Sequence, residues 1–590
     1  MIGVMRLVQN APGGVKKKLL RAVAAGGILA WFFSGLTACS ESPINISTPV
    51  TGPNYVTVSA SEPSGMLIPS AATNIDKAKI AAMLFSGLAY LDEKGEVKND
   101  IAQAIIPNDN CTVYDIELTA DLLFSDGTKV DAESFARTWS DAVRNVETRP
   151  EASLLTVING YDVTSGAAPV VSTDSHRRPP AGTRENTLTP DLAGVEIVSS
   201  TRFKVHLSIP TCDFVKRLAT PFFSPLPASA FDENGKISAD FGENPFGYGP
   251  YMLAREGAWE HDSQLILVPN EHYRGPRRAR NEGISFKFYR DAHEAYRDLQ
   301  NDALDINDNL PSAALKTYKD QLGARATSGP NAVADYLVFP LDGHFAVGSE
   351  EGRLRRAAVS LCLNRVDLSK MYFAGLFESA TDFVTPVVLG HTENLAGNEV
   401  LKFNVAQAKA NWAAADSLAP WDGEIAMARV DNEMGEWVDG AAGQIRSCLG
   451  VRVSVKAFPD RVTLEKNVKT MRVTNPDGSV GALQLTYPAG WRAKYPGMKG
   501  YLWPNFATVG IANRVGYSNP EYDALLYQAG GTVSESEAVK LYTQAESLLI
   551  RDLPVVPLWH ESVAVGWSTK VAGVQLDWQG LVQYWRVTKD

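Results

Sequence analysis

The chain is 590 residues long, 45% hydrophobic and 21% charged, a balance that supports several buried cores and two or three domains. Its formal net charge is −11, and without the five cations of the first 38 residues (Arg6, Lys16, Lys17, Lys18 and Arg21) it becomes −16. So acidic a surface argues against nucleic acid as a partner and against electrostatic adhesion to anionic lipid.

Lys16-Lys17-Lys18 and Arg21 precede an apolar run from Ala22 to Leu36. The run falls short of the ~20 residues that span a bilayer and is followed by small residues, which is the pattern of a cleaved secretory signal. Leu36-Thr37-Ala38-Cys39 resembles the bacterial lipobox. That resemblance implies residues 1–38 as a lipoprotein signal peptide, Cys39 as the acylated mature N-terminus, and residence outside the cytoplasm on a bacterial cell membrane. Acyl chains contribute roughly 0.8 kcal/mol per buried CH₂, so two or three of them anchor a protein firmly. Residues 39–55, rich in Ser, Pro, Thr and Asn, read as a flexible tether.

Apolar residues at helical spacing predict a helix from Ile75 to Leu91, and alternation predicts a strand from Thr112 to Leu118. Phe124-Ser125-Asp126-Gly127-Thr128 is a turn, followed by a helix for which Asp131 is the N-cap. Residues 161–194 lack periodicity and read as a surface insertion. Strand character returns from Val195 to Leu207, and Gly247-Tyr248-Gly249-Pro250-Tyr251 turns the chain into short strands reaching Val268. Further on come a strand at Tyr336–Phe339, helices around Arg353–Met371 and Val405–Ala415, and a strand at Leu483–Tyr487. Helices at Pro520–Ala529 and Ser534–Leu549 and strands at Val555–Trp559 and Val563–Trp567 complete a mixed α/β chain.

Six segments in this order resemble the bacterial extracellular solute-binding proteins of family 5, the oligopeptide-, dipeptide- and nickel-binding lipoproteins of ABC importers. They are Phe85 to Asp92, Phe124-Ser125-Asp126-Gly127-Thr128 with Asp131 to Phe135, Pro245 to Tyr251, Arg353 to Arg365, Tyr517 to Asp523, and Asp552 to Leu558. The resemblance covers nearly all of the mature chain. It implies a two-lobed periplasmic-binding-protein-like fold (class II, cluster C type) with mixed sheets and a hinge between lobes that close on a solute. On that plan residues 56–334 form lobe I with an additional subdomain, 335–490 form lobe II, and 491–590 return to lobe I. The hinge crossings are expected near Asp335 to Phe339 and near Tyr487 to Gly510. Four cysteines remain after Cys39, an even number in an oxidising compartment. Of the three connectivities, Cys111 with Cys212 and Cys362 with Cys448 keeps each bridge inside one lobe; free buried cysteines are the alternative.

Peptide binders of the family hold an extended peptide through its backbone. Gly490-Trp491-Arg492-Ala493-Lys494-Tyr495 resembles the segment whose acidic residue pairs with the ligand's α-amino group, but Lys494 stands in the acidic place. A cation cannot bind an ammonium, so Lys494 meets an anionic group of the solute, points to solvent or pairs with an acid of the protein. Gly490, Trp491, Lys494, Tyr495, Tyr487, Tyr248 and Trp503 are the candidate ligand contacts, with core packing the competing role for each aromatic residue. No nucleophile elbow, zinc-protease motif, Walker loop or C-x-x-C is present, and the eight histidines are scattered singly. The expectation is therefore a binder and not an enzyme, without cofactor or metal site, monomeric, with a peptide as solute and permease and ATPase subunits as partners. A non-peptide or anionic solute (glycan, modified peptide, metal chelate) is the alternative, and a cell-wall peptide hydrolase a further one.

Overall fold

The computed structural model describes residues 54–72, 74–165, 191–255, 257–470, 472–474, 480–482 and 484–590. The expected signal peptide, Cys39, nearly all of the tether and residues 166–190 of the expected insertion lie outside them.

Side-chain caps start most of the longer helices. Asn74 accepts from the Lys77 N–H at 2.8 Å and opens Ile75–Leu84, and Asp131 accepts from Ser134 at 2.8 Å and opens Ala132–Arg144. The helix expected to reach Leu91 stops at Leu84: Phe85 is extended, Ser86-Gly87 favours no further helix, and Ala89–Leu91 pairs with Val97–Asn99 as a strand. The helix expected over Arg353–Met371 is two, Glu350–Cys362 and Arg365–Tyr372, because Leu363 is extended and Asn364 caps anew. The two expected terminal strands are one, Val556–Trp567, and the strand expected at Leu483–Tyr487 lies instead at Tyr487–Arg492.

The main sheet runs in the order Tyr487–Arg492, Ala326–Val338, Val556–Trp567, Ile306–Asn307, Val56–Ala60, Ile284–Phe288, Gln264–Pro269, Tyr251–Leu253. It is mixed: Val56–Ala60 lies parallel to both its neighbours, and the other pairings are antiparallel. A first core packs on the Val56–Ala60 side, built by Val56, Val58, Ile80, Leu84, Phe286, Tyr584 and Trp585. A second core lies under the antiparallel sheet Ala102–Pro107, Val113–Leu118, Arg202–His206, Val195–Ser199. At its centre the fully buried Trp139 meets Phe135, Phe203 and Phe223 edge-on and donates its indole N–H to the Phe223 carbonyl.

The third core spans Ala334 to Trp559, with Trp559 edge-on to Trp437 at 4.6 Å and Phe373 at 5.4 Å. It includes Ala493, Met498, Tyr501, Phe506, Tyr522 and Leu549. The segment expected to return to the first lobe at residue 491 therefore packs with the second lobe as far as Trp559. Only within the strand Val556–Trp567 does the chain go back, since Val565 belongs to the first core. This strand pairs with Ala326–Val338, and the ladder is irregular between Pro330 and Ala334 and again between Ala334 and Tyr336. These irregularities fall at the start of the expected crossing near Asp335 to Phe339, and Tyr487–Arg492, from the other expected crossing, pairs with the same strand.

Both disulfides have the expected partners, Cys111 with Cys212 beside the second core and Cys362 with Cys448 inside the third. The third core also buries arginines on carbonyls. Arg365 donates to the carbonyls of Pro557 (3.0 Å), Ser360 (3.1 Å) and Leu401 (2.7 Å), and burial pulls its guanidinium down to about 9.

Replacing Arg365 by Met leaves those buried carbonyls without donors. The expected cost is about 3 kcal/mol or more, read as a lower urea midpoint with unchanged slope. The double change Cys362→Ser, Cys448→Ser opens a loop of 86 residues' separation. It is expected to lose about 2–5 kcal/mol in the same assay.

Candidate functional site

A cavity of about 310 Å³ lies where the first core, the second core and the end of the strand Tyr487–Arg492 meet. The helix Ile75–Leu84 gives one wall through Asn74, Ala78, Lys79 and Met83, and the loop 577–585 gives another through Asp577, Trp578, Gln579, Tyr584 and Trp585. Glu151, Leu154 and Phe222 come from the second-core side, Arg492 from the end of the strand and Lys494 from just beyond it. The volume sits at the small end of the ~300–1,000 Å³ typical of ligand sites.

The cations that line it differ in what they already hold. Lys79 is buried between Asp76 (2.8 Å) and Asp308 (3.0 Å), and Asp308 also accepts from the Tyr584 hydroxyl. Arg277 lies 3.5 Å from Asp100 and bonds the Ala82 carbonyl and the Ser86 hydroxyl. Lys494 reaches across to Glu151. Arg492 alone of these four has no carboxylate within ion-pair distance among the described residues; it donates to the Gln579 carbonyl at 3.3 Å, and burial lowers its affinity for its proton. On the facing loop Asp577 accepts the N–H groups of Gln579 (2.8 Å) and Leu581 (2.9 Å), and burial nevertheless pushes its carboxyl up to about 6. The cavity thus brings together aromatic walls and a cation that makes no contact ion pair among the described residues but lies in the field of Asp577, Glu561 and Asp335.

The expected ligand residues divide. Lys494 lines this cavity but is engaged by Glu151, the protein-acid alternative of the three weighed from sequence. Gly490 and Trp491 line a separate space of about 50 Å³; Gly490 stands opposite Asp335 across the ladder, and the Trp491 indole donates to the Gly500 carbonyl at 2.8 Å. Tyr248, Tyr487 and Tyr495 line no part of the larger cavity. Tyr248 meets Tyr273 at a tilt, ring centroids 5.2 Å apart, in the second core and its hydroxyl accepts from the Arg274 N–H, and Tyr487 is buried in the third core. Tyr495 is buried with the Arg217 guanidinium 5.3 Å over its ring. Trp503 meets Tyr527 edge-on at 4.9 Å, with the Lys499 ammonium over its ring, and is likewise away from the cavity. The histidines, expected singly, are not all so: His391 and His560 lie with ring centroids 5.1 Å apart.

A seam closes one side of the cavity by joining the second core to the third. The Cys212 N–H donates to the Gly530 carbonyl at 2.8 Å, Lys216 pairs with Glu535 and donates to the Pro496 carbonyl at 3.1 Å, and Lys494–Glu151 continues the line. Arg492 and Asp577 escaped the sequence reading. Arg492 carried one usable signal, its position two before Lys494 at strand spacing, which puts both on one side of the chain. Asp577 carried none, being one acid among many.

Comparison with known proteins sets this arrangement in context. Residues 96–513, more than half of the chain, match the profile of the bacterial extracellular solute-binding proteins, family 5 Middle. The glutathione-binding protein GsiB of Escherichia coli O6:K15:H31 is 21% identical over 94% of this chain and 97% of its own length. The periplasmic murein peptide-binding protein MppA of E. coli K12 is 23% identical over 84% of this chain and 85% of its own. The structure of E. coli MppA superposes with a TM-score of 0.70 at 20% identity, covering 91% of this chain and 98% of that one. The pheromone receptor PrgZ superposes at 0.68 and 22% identity, over 91% and 99%. The fold is thus the two-lobed, mixed α/β fold of the periplasmic binding proteins, and the chain belongs to the family 5 bacterial extracellular solute-binding proteins of ABC importers.

Proposed function

We propose that this chain is the lipid-anchored, monomeric substrate-binding component of an ABC importer, that its cavity takes short peptides with free charged ends, and that it delivers them to permease and ATPase subunits in the membrane. The observation that carries the peptide reading is the cavity lining itself, where Arg492, held by a carbonyl and by no contact ion pair among the described residues, stands beside Asp577. A free peptide carries a carboxylate for the first and an ammonium for the second, so each desolvated end gains a partner. The aromatic side chains Trp578, Tyr584 and Trp585 supply contact area without dictating sequence. Relatives named for glutathione, for dipeptides and for murein peptides are in keeping with that solute class. Anchoring through Cys39 rests on the lipobox resemblance, and no helix of the described residues is long and apolar enough to cross a membrane. The cavity's groups act by binding; no nucleophile stands beside a base among its lining residues.

Arg492 equally favours a solute that is anionic and not a peptide, and one experiment separates the two. The full chain, purified from a peptide-rich culture and gently denatured, is expected to release short linear peptides identifiable by mass spectrometry; a single non-peptidic anion would overturn the peptide reading. By calorimetry, Arg492→Met should weaken a free tripeptide at least about tenfold while leaving the C-terminally amidated form unchanged. Equal loss for both peptides would place the carboxylate elsewhere.

Asp577 makes a pH prediction. Its folded-state carboxyl is raised, so it is charged above about 6 and neutral below, and affinity for a free amino terminus should fall as pH drops through about 6. Stability moves the other way: a raised carboxyl costs folding free energy above that value, and the cost is relieved as pH falls toward the unfolded value of 3.8. Asp577→Asn should therefore raise the neutral-pH unfolding free energy by on the order of 1–3 kcal/mol, seen as a higher melting temperature, and remove the pH dependence of peptide affinity.

A further inference from the structure

The third core contains a cluster that the solute cavity does not use. His560 comes from the strand Val556–Trp567, and Asp382 and His391 come from the loop after Glu378–Ser379. His391 Nδ1 is 3.0 Å from Asp382 Oδ2, and His560 Nε2 is 3.4 Å from Asp382 Oδ1. One ligand atom from each of the three lies within 4.8 Å of the other two.

A self-contained hydrogen-bond network would explain such a trio, but two atoms do not fit it. His560 Nε2 is buried without a hydrogen-bond partner, on a residue only 2% exposed. Glu546, fully buried, uses one carboxylate oxygen to accept from the Phe383 N–H at 3.0 Å and leaves the other without a partner. Each such atom has given up water without gaining a partner, which costs stability. Asp382 and Glu546 together bring two buried carboxyls to one place, and among the described residues no lysine or arginine lies within ion-pair distance of either. A dication answers the first deficit, taking the free imidazole lone pair of His560 beside the Asp382 carboxylate, while burial and Asp382 push the Glu546 carboxyl well above its usual range.

We infer that Asp382, His391 and His560 bind a first-row transition dication of the zinc class. Two imidazoles and one carboxylate oxygen suit zinc and not the oxygen-seeking magnesium or calcium, and a water completes a four-coordinate set. His391 keeps 18% of its side chain exposed and gives the ion a way in. Bound there, the metal ties the loop carrying Asp382 and His391 to a strand that continues into the first core, so its role is to brace the lobe at the crossing.

The test uses the full chain, stripped with chelator, dialysed and titrated with zinc chloride by calorimetry. One zinc per chain is expected, with a rise in melting temperature; cobalt in its place should give visible absorption bands of a low-symmetry nitrogen and oxygen site. His391→Asn, at the partly exposed ligand, should fold and bind zinc at least about tenfold more weakly, as should His560→Asn, while the control His272→Asn matches the parent. Absence of zinc binding by the parent, or binding that survives His391→Asn undiminished, overturns the site.

Discussion

Everything in this molecule hangs on two long strands that pass between its cores. Ala326–Val338 and Val556–Trp567 pair side by side and both have one end in the third core; the other end of Val556–Trp567 enters the first core at Val565, and Ala326 packs against a small cluster that includes Leu299 and Tyr318. Where the ladder loses register, Asn331 fills the gap by accepting from the Val333 N–H at 2.8 Å and donating to Glu561 at 3.2 Å. Asp335 and Glu561 are buried here side by side, and burial with mutual repulsion holds the Asp335 carboxyl well above its usual range, against the opposing pull of Arg461 and Arg492. A regular ladder would be stiff along its whole length. An irregular one, with polar groups in place of packed methyls, gives two cores a shared axis on which small changes in backbone angle become large movements at the cleft.

This placement explains why the family was legible and the solute was not. The segments that carried the resemblance are scaffold. A Cβ on Gly247 or Gly249 would lie 2.1 Å or 2.3 Å from the backbone at Leu84, so the Pro245–Tyr251 turn is a close approach to the end of the helix Ile75–Leu84. Asn519 caps the helix Pro520–Gly530 and, with the Tyr517 hydroxyl, holds Asp552. Leu553, in the left-handed conformation that ends Glu535–Asp552, offers its carbonyl to Arg356 at 2.7 Å. Such contacts depend on residue type at fixed chain positions, and a sequence displays them.

The cavity is assembled differently. Its lining comes from residues 69 to 585, and its charge pattern depends on which cation has already found an acid. Lys494 looked decisive because it stood in a position the family fills with an acid, yet Glu151, 343 residues away, takes it. Arg492, two residues earlier, keeps its charge available. Nothing local distinguishes the two. The aromatic candidates failed for a related reason: Tyr248, Tyr487 and Tyr495 are large and apolar enough that a core claimed each, and only long-range topology decides which core a tyrosine faces.

The exchange of an acid for Lys494 also changes how closure is stabilised. An acid in that place would wait for the solute, whereas Lys494 already joins Glu151 across the seam, with Lys216–Glu535 beside it. Lys494 is 37% exposed and Glu535 is 55% exposed, and pairs as wet as these are worth about 0–1 kcal/mol apiece. That is too little to hold two lobes shut against the entropy of opening. A solute that gives Arg492 a desolvated carboxylate partner gains more, since charge-assisted bonds in a dry site are worth about 1.5–3 kcal/mol each. Seam pairs this weak are free to exchange, so the seam by itself leaves the arrangement of the lobes open to change.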